Sequence, residues 1–178
     1  MAPKTTRSKK KKPTKKLARR SHKPMLKEGD PAPSFRLSAD DGSEVSLNDL
    51  RGKHVALYFY PKASTPGCTI EAIEFRERKS DFDQLNAVVL GCSADTVASQ
   101  AKFKAKQKLN FPLLSDPDFN VIEAYDARRM KSFLGKSYLG IVRSTVLIGP
   151  DGKVEKIWSS AKSKGHAAEV VEALRLLQ

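Results

Sequence analysis

The chain has 178 residues, enough for one domain of ordinary size with a hydrophobic core and too few for two generous ones. No apolar run approaches the roughly 18 residues of a membrane-spanning helix, and the first residues lack the apolar stretch of a secretory signal, so an intracellular, cytoplasmic protein without membrane contact is expected. Two cysteines outside any CxxC pair exclude a disulfide scaffold and give no zinc or dithiol signature, so no metal site is expected and any cysteine chemistry is that of free thiols.

The net charge of +13 divides unevenly. Residues 1–27 hold 12 Lys or Arg and no acid, whereas residues 28–178 hold 21 basic and 20 acidic residues and are almost neutral. The run from Lys9 to Arg20 has no apolar periodicity and its like charges repel, so residues 1–27 are predicted to be a basic disordered tail and residues 28–178 the folded domain. Such a run keeps a protein soluble, but its density also suits DNA, another polyanion or a nuclear import receptor, which keeps nuclear or nucleoid association beside a cytoplasmic one.

In chain order, the alternation at Phe35 and Leu37, the turn-prone Asp40 to Ser43 and the stretch Glu44 to Leu47 predict an N-terminal hairpin. His54 to Tyr60 is dense in β-branched and aromatic residues, as a strand buried on both faces should be. A loop from Lys62 to Gly67 then leads to a helix from Cys68 to about Leu85, with Ala72, Phe75 and Phe82 inward. A second buried strand is predicted at Ala87 to Cys92, followed by a helix from about Asp95, whose carboxylate can cap the first turn, to Lys108. Phe111 to Asp118 reads as a connection, Phe119 to Tyr125 as a short helix, and the basic stretch after it as mobile. Ser144 to Ile148 and Lys153 to Trp158 form a predicted antiparallel hairpin around Gly149 to Gly152, and an amphipathic helix from His166 to Leu177 turns Val170, Leu174 and Leu177 inward. A βαβ unit followed by a ββα unit predicts an α/β, thioredoxin-like fold with a central mixed sheet flanked by helices.

In such a sheet, the loop that leaves the carboxyl end of a central strand and opens a helix is where reactive groups gather, and Cys68 stands there. The unpaired N–H groups and positive dipole end of a helix N-terminus favour a thiolate. A lone cysteine is still commonly a small buried residue, so position alone leaves the choice open.

Pro61, Thr65 and Cys68 form Pro-x-x-x-Thr-x-x-Cys, and here the sequence resembles the peroxiredoxins. The stretch Tyr58 to Glu71, with Ser93-Ala94-Asp95, Pro112 to Asp116 and Arg143-Ser144-Thr145, resembles most the peroxiredoxin Q, or bacterioferritin comigratory protein, branch, over residues 28–178. The resemblance implies a thiol-dependent peroxidase for hydrogen peroxide and organic hydroperoxides, active in antioxidant defence without a cofactor, in which Cys68 is oxidised to a sulfenic acid. It assigns Pro61 to covering the thiolate, Thr65 to accepting a hydrogen bond from the peroxide, and Arg143 to stabilising the thiolate and polarising the peroxide. Glu71 matches the carboxylate that holds this arginine; otherwise it is an ordinary exposed first-turn glutamate. His22, His54 and His166 read as structural or solvated.

The departure from that pattern is in recycling. Neither Ile73 nor any residue of Phe103 to Gln107 supplies the resolving thiol those positions carry in related chains. Cys92 remains as a candidate resolving residue or, preferably, a packing one. A one-cysteine cycle with an external thiol reductant such as thioredoxin or glutaredoxin is therefore expected, in a monomer or weak dimer. Two competing readings are a nucleic-acid-associated protein whose basic tail binds DNA while its domain protects it from oxidants, and a disulfide reductase, which would want a CxxC pair.

Overall fold

The computed structural model describes residues 25–178. His22 and nearly all of the predicted basic tail lie outside the described residues. The chain is tied to the body from Leu26, whose N–H donates to Asp126 Oδ2.

Nine strands and five α-helices follow one another as β1 (Arg36–Ala39), β2 (Glu44–Ser46), β3 (His54–Phe59), α1 (Pro66–Glu77), α2 (Lys79–Gln84), β4 (Ala87–Ser93), α3 (Val97–Gln107), β5 (Leu113–Ser115), α4 (Asn120–Ala124), β6 (Arg128–Phe133), β7 (Lys136–Ile141), β8 (Ser144–Ile148), β9 (Val154–Trp158) and α5 (His166–Leu176) among the described residues, with a 3-10 turn at Leu47–Leu50. Seven strands form one mixed sheet in the order β2-β1-β5-β4-β3-β8-β9. The β3–β4 and β4–β5 pairs are parallel; β8 runs antiparallel to β3 and to β9. This is the expected α/β architecture, and among the described residues no helix is long and apolar enough to cross a membrane.

Strand parity divides the core. Ala56 and Tyr58 of β3 and Tyr60 just past it face one cluster, which also takes Phe75 of α1, Phe82 of α2, Phe103 of α3 and Val170 and Leu174 of α5. Val55, Leu57 and Phe59 face the other, built with Leu90 and Cys92 of β4, Ile122 of α4 and Val146 and Ile148 of β8. Truncating a ring such as Phe75, stacked on Tyr58 at 4.6 Å, costs about 3–5 kcal/mol in a core of this kind.

Several expectations need correction. The helix predicted to run unbroken to Leu85 breaks at Arg78, which has ψ near 10°, and the break turns Phe82 onto Phe75 with ring centroids 5.7 Å apart. The connection after Phe111 contains β5, too short to show periodicity; it is fixed by pairing with β4 and β1 and by Leu113 N donating to Asp40 Oδ1 at 2.8 Å. The basic stretch expected to be mobile is the β6–β7 ribbon, closed by Leu134 and Gly135, both at positive φ (48° and 74°) as a tight two-residue hairpin requires. Leu177 lies beyond α5 and is exposed, while Ala167, Val170, Val171, Ala173 and Leu174 make the inward face.

Candidate active site

Helix α1 begins at Pro66, whose missing N–H costs nothing in a first turn, after Thr65 in extended conformation. Gly67 and Cys68 follow, where backbone N–H groups have no intrahelical partner. Cys68 is 2% exposed, and Arg143 Nη2 approaches its Sγ at 3.4 Å. Arg143 comes from immediately before β8, 75 residues away in sequence but beside β3 in the sheet.

The same guanidinium donates through Nη1 to Glu71 Oε2. Glu71 is fully buried one turn below Cys68, which removes the reading of it as an exposed first-turn glutamate. Burial, the larger effect, lifts the Glu71 carboxyl to about 7, with Arg143 opposing it. Burial also works against the Arg143 charge, but Glu71 and Cys68 outweigh it and hold the guanidinium above its ordinary range. The two shifts pull the pair in opposite senses; the direct contact favours the ionised pair, with Glu71 the member that gives way as pH falls.

The loop before α1 is held from β4. Asp95 Oδ2 accepts from Ala63 N at 2.8 Å and from Ser93 Oγ at 2.6 Å. This corrects the prediction that Asp95 caps α3: Thr96 is the cap, its hydroxyl accepting from Ser99 N at 3.2 Å. Thr65 Oγ1 donates to Lys62 O at 2.8 Å, which leaves its oxygen lone pairs free to accept, and Pro61 is half-buried at the end of β3. Gly67 is held to its identity by contact, since a Cβ there would meet Arg143 Nη2 at 3.1 Å and Ser163 Cβ at 3.7 Å. Sequence reasoning quoted Asp95 within Ser93-Ala94-Asp95 but read it as a helix cap rather than an anchor of this loop, and it missed Ser163. Asp95 was visible as an acid just past a buried strand; Ser163 carries no signal.

Cys92 lies in the cluster on the opposite sheet face from Cys68, fully buried beside Phe59 and Leu114 in register. Burial pushes its thiol well above the ordinary range, and Asp116 adds to the effect. His54 Nδ1 meets Glu155 Oε2 at 2.9 Å, and His166 Nε2 shares a hydrogen bond with Thr145 Oγ1 at 2.7 Å. Among the described residues, no group of three or more His, Cys, Asp or Glu side chains is set to hold a metal.

The family model described as the AhpC/TSA family matches residues 28–157. Peroxiredoxin Bcp of Bacillus subtilis is 44% identical over 147 residues, covering 83% of this chain and 94% of the relative, and Peroxiredoxin Bcp of Escherichia coli is 43% identical, covering 84% and 96%. Among solved structures, a Xanthomonas campestris bacterioferritin comigratory protein, studied for alkyl peroxide reduction, is 41% identical with a TM-score of 0.77, over 80% of this chain and 91% of that one. A Xylella fastidiosa PrxQ mutant structure is 36% identical with a TM-score of 0.82, over 87% and 99%.

Proposed function

This chain belongs to the AhpC/TSA family and is a thiol-dependent peroxidase, and we propose that Cys68 is the residue that attacks the peroxide. The observation that carries this reading is the single guanidinium of Arg143, one nitrogen on Glu71 and the other 3.4 Å from Cys68 Sγ. It favours the thiolate and faces the place where negative charge develops as the O–O bond breaks.

A lone pair of the Cys68 thiolate attacks one peroxide oxygen. The S–O bond forms, the O–O bond breaks, and the electron pair leaves on the second oxygen, which takes a proton and departs as water or alcohol. Cys68 is left as a sulfenic acid. Thr65 Oγ1, already donating to Lys62 O, accepts the hydrogen bond of the incoming peroxide, and Pro61 limits water at the sulfur. Hydrogen peroxide and organic hydroperoxides are the proposed substrates; the alkyl peroxide reduction studied in the Xanthomonas campestris relative supports the second class.

Recycling proceeds by a one-cysteine route. An external thiol of thioredoxin or glutaredoxin type attacks the sulfenic sulfur, forms a mixed disulfide and releases water; a second thiol then displaces the Cys68 thiolate. In support, Ile73 and Phe103 to Gln107 offer no sulfur, and a disulfide needs Cα atoms within about 7 Å, which opposite sheet faces oppose for Cys92. The protein acts as a monomer or weak dimer inside the cell, and its basic N-terminal run contacts DNA or another polyanion. Peroxide consumption with thioredoxin, glutaredoxin and a small thiol as alternative reductants tests the cycle; turnover with none of them contradicts it. Duplex DNA affinity that falls steeply with salt and is lost on deleting residues 1–27 tests the tail, and salt-independent binding contradicts that part.

A further inference from the structure

The β6–β7 ribbon stands apart from the main sheet, and its two faces differ. By strand parity, one face carries Arg128, Met130 and Leu139, and the other Arg129, Lys131, Phe133, Lys136 and Tyr138. The first is engaged at its base, where Arg128 lies 3.8 Å from the centroid of the Phe119 ring and pairs with Glu123. Beyond its base the ribbon is exposed on both faces, Met130 at 65% and Leu139 at 45% on the first and Phe133 at 67% and Tyr138 at 47% on the second, but of the two only the second sets aromatic rings among cations.

Register sets Lys136 opposite Phe133 and Tyr138 opposite Lys131, so rings and ammonium groups alternate diagonally across two cross-strand pairs. Gly140 shares this face with Tyr138. A Cβ there would stand 2.9 Å from Tyr138 Cε2 and 3.1 Å from Lys131 Cδ, so the bare backbone lets the ring lie along the ribbon beside the lysine stem. Arg129 Nη2 donates to Ser159 O and Lys131 Nζ to Ile141 O at 3.1 Å, contacts with carbonyls that fix the side chains without neutralising them. Residues 127–150 contain no acid, and among the described residues Arg129, Lys131 and Lys136 form no ion pair.

Exposed rings interleaved with uncompensated cations on one ribbon face match one ligand chemistry closely. Unpaired bases offer π-faces to stack on, and their phosphates take the cations. A duplex hides its base faces and would use only the charges. We propose that this face is a stacking platform for single-stranded nucleic acid, with bases on Phe133 and Tyr138 and phosphates on Arg129, Lys131 and Lys136. The basic N-terminal run joins the body here: Met25 and Leu26 line a small cavity with Arg129 and Ser159. None of the five platform residues touches Cys68, so the inference stands apart from the peroxidase reading.

The test uses the full-length chain and fluorescence anisotropy, with a labelled oligothymidylate of about 16 nucleotides and a duplex of equal nucleotide count. The single strand binds more tightly. Phe133→Ala with Tyr138→Ala weakens its binding about tenfold or more and leaves the salt slope unchanged, because the tail and lysines keep their charge. Phe133→Tyr with Tyr138→Phe keeps both rings and the parent affinity. Lys131→Gln with Lys136→Gln lowers the salt slope. Equal affinity for single strand and duplex, an alanine pair that binds like the parent, or binding to phosphatidylserine-containing vesicles with none to the oligonucleotide would each overturn the proposal.

Discussion

Cys68 and Cys92 are buried almost equally, at 2% and 0% exposure, on opposite faces of one sheet. Their surroundings differ in kind. Cys68 sits in the first turn of a helix with a guanidinium at 3.4 Å that is itself anchored on a buried carboxylate. Cys92 stands mid-sheet among Phe59, Leu90 and Leu114, and the charge that acts on it, that of Asp116, is negative. Burial removes water from both; only the first site replaces water with fixed positive charge, the substitution on which the proposed role of Cys68 as nucleophile rests.

The comparison breaks most sharply at the sulfur. Cys68→Ser is expected to lower peroxide reduction by on the order of 10⁴-fold or more, read by peroxide consumption under saturating reductant. A serine variant that consumed peroxide at the parent rate would remove Cys68 from the mechanism. Arg143→Gln keeps a donor but loses the charge, and kcat/KM should fall about 10²–10³-fold with the fold intact by circular dichroism.

Glu71 sharpens the contrast through pH. Its carboxyl, lifted by burial to about 7, protonates as pH falls through that value and releases its hold on Arg143, so the rate declines below neutrality. Glu71→Gln should lower kcat/KM about tenfold and erase this inflection. The stability sign runs the other way. A carboxyl whose folded value lies above its ordinary 4.5 contributes stability that is fully present below 4.5 and lost as pH rises through about 7, and Glu71→Gln should remove that slope from thermal melts. An unchanged pH profile in the variant would show that Glu71 does not govern Arg143.

The smallest effect on turnover belongs to the other face. Cys92→Ser should leave the peroxide step within about twofold, because no charge or helix end at this site acts on the reaction, yet cost about 1–3 kcal/mol of stability by placing a hydroxyl among apolar side chains. Stopped-flow rates and denaturant melts separate the two.

Much of this was legible in the sequence because it rests on local patterns. His54 to Tyr60 is apolar on both faces and became β3; Ser144 to Ile148 became β8 between two turn signals. The Pro-x-x-x-Thr-x-x-Cys spacing puts Cys68 at a helix start, and the Arg-Ser-Thr before β8 delivers Arg143 beside it. What escaped depends on partners distant in sequence. Leu113 to Ser115 is a strand only because β4 and β1 flank it, and the β6–β7 ribbon hides its alternation behind lysines and a Leu-Gly turn without the usual Asn or Asp. Local pattern alone leaves Glu71 a surface residue, and only the resemblance tied it to Arg143, 72 positions away. The separation of Cys68 from Cys92 turns on the parity of one strand, which the apolar run Ala87 to Cys92 conceals because both its faces are buried.

The most direct test of the account treats the reduced protein with one equivalent of peroxide in the presence of dimedone and maps the products by mass spectrometry. The account predicts a dimedone adduct on Cys68, with Cys92 remaining a free thiol. A quantitative Cys68–Cys92 disulfide, or an adduct on Cys92 with Cys68 unmodified, would contradict it.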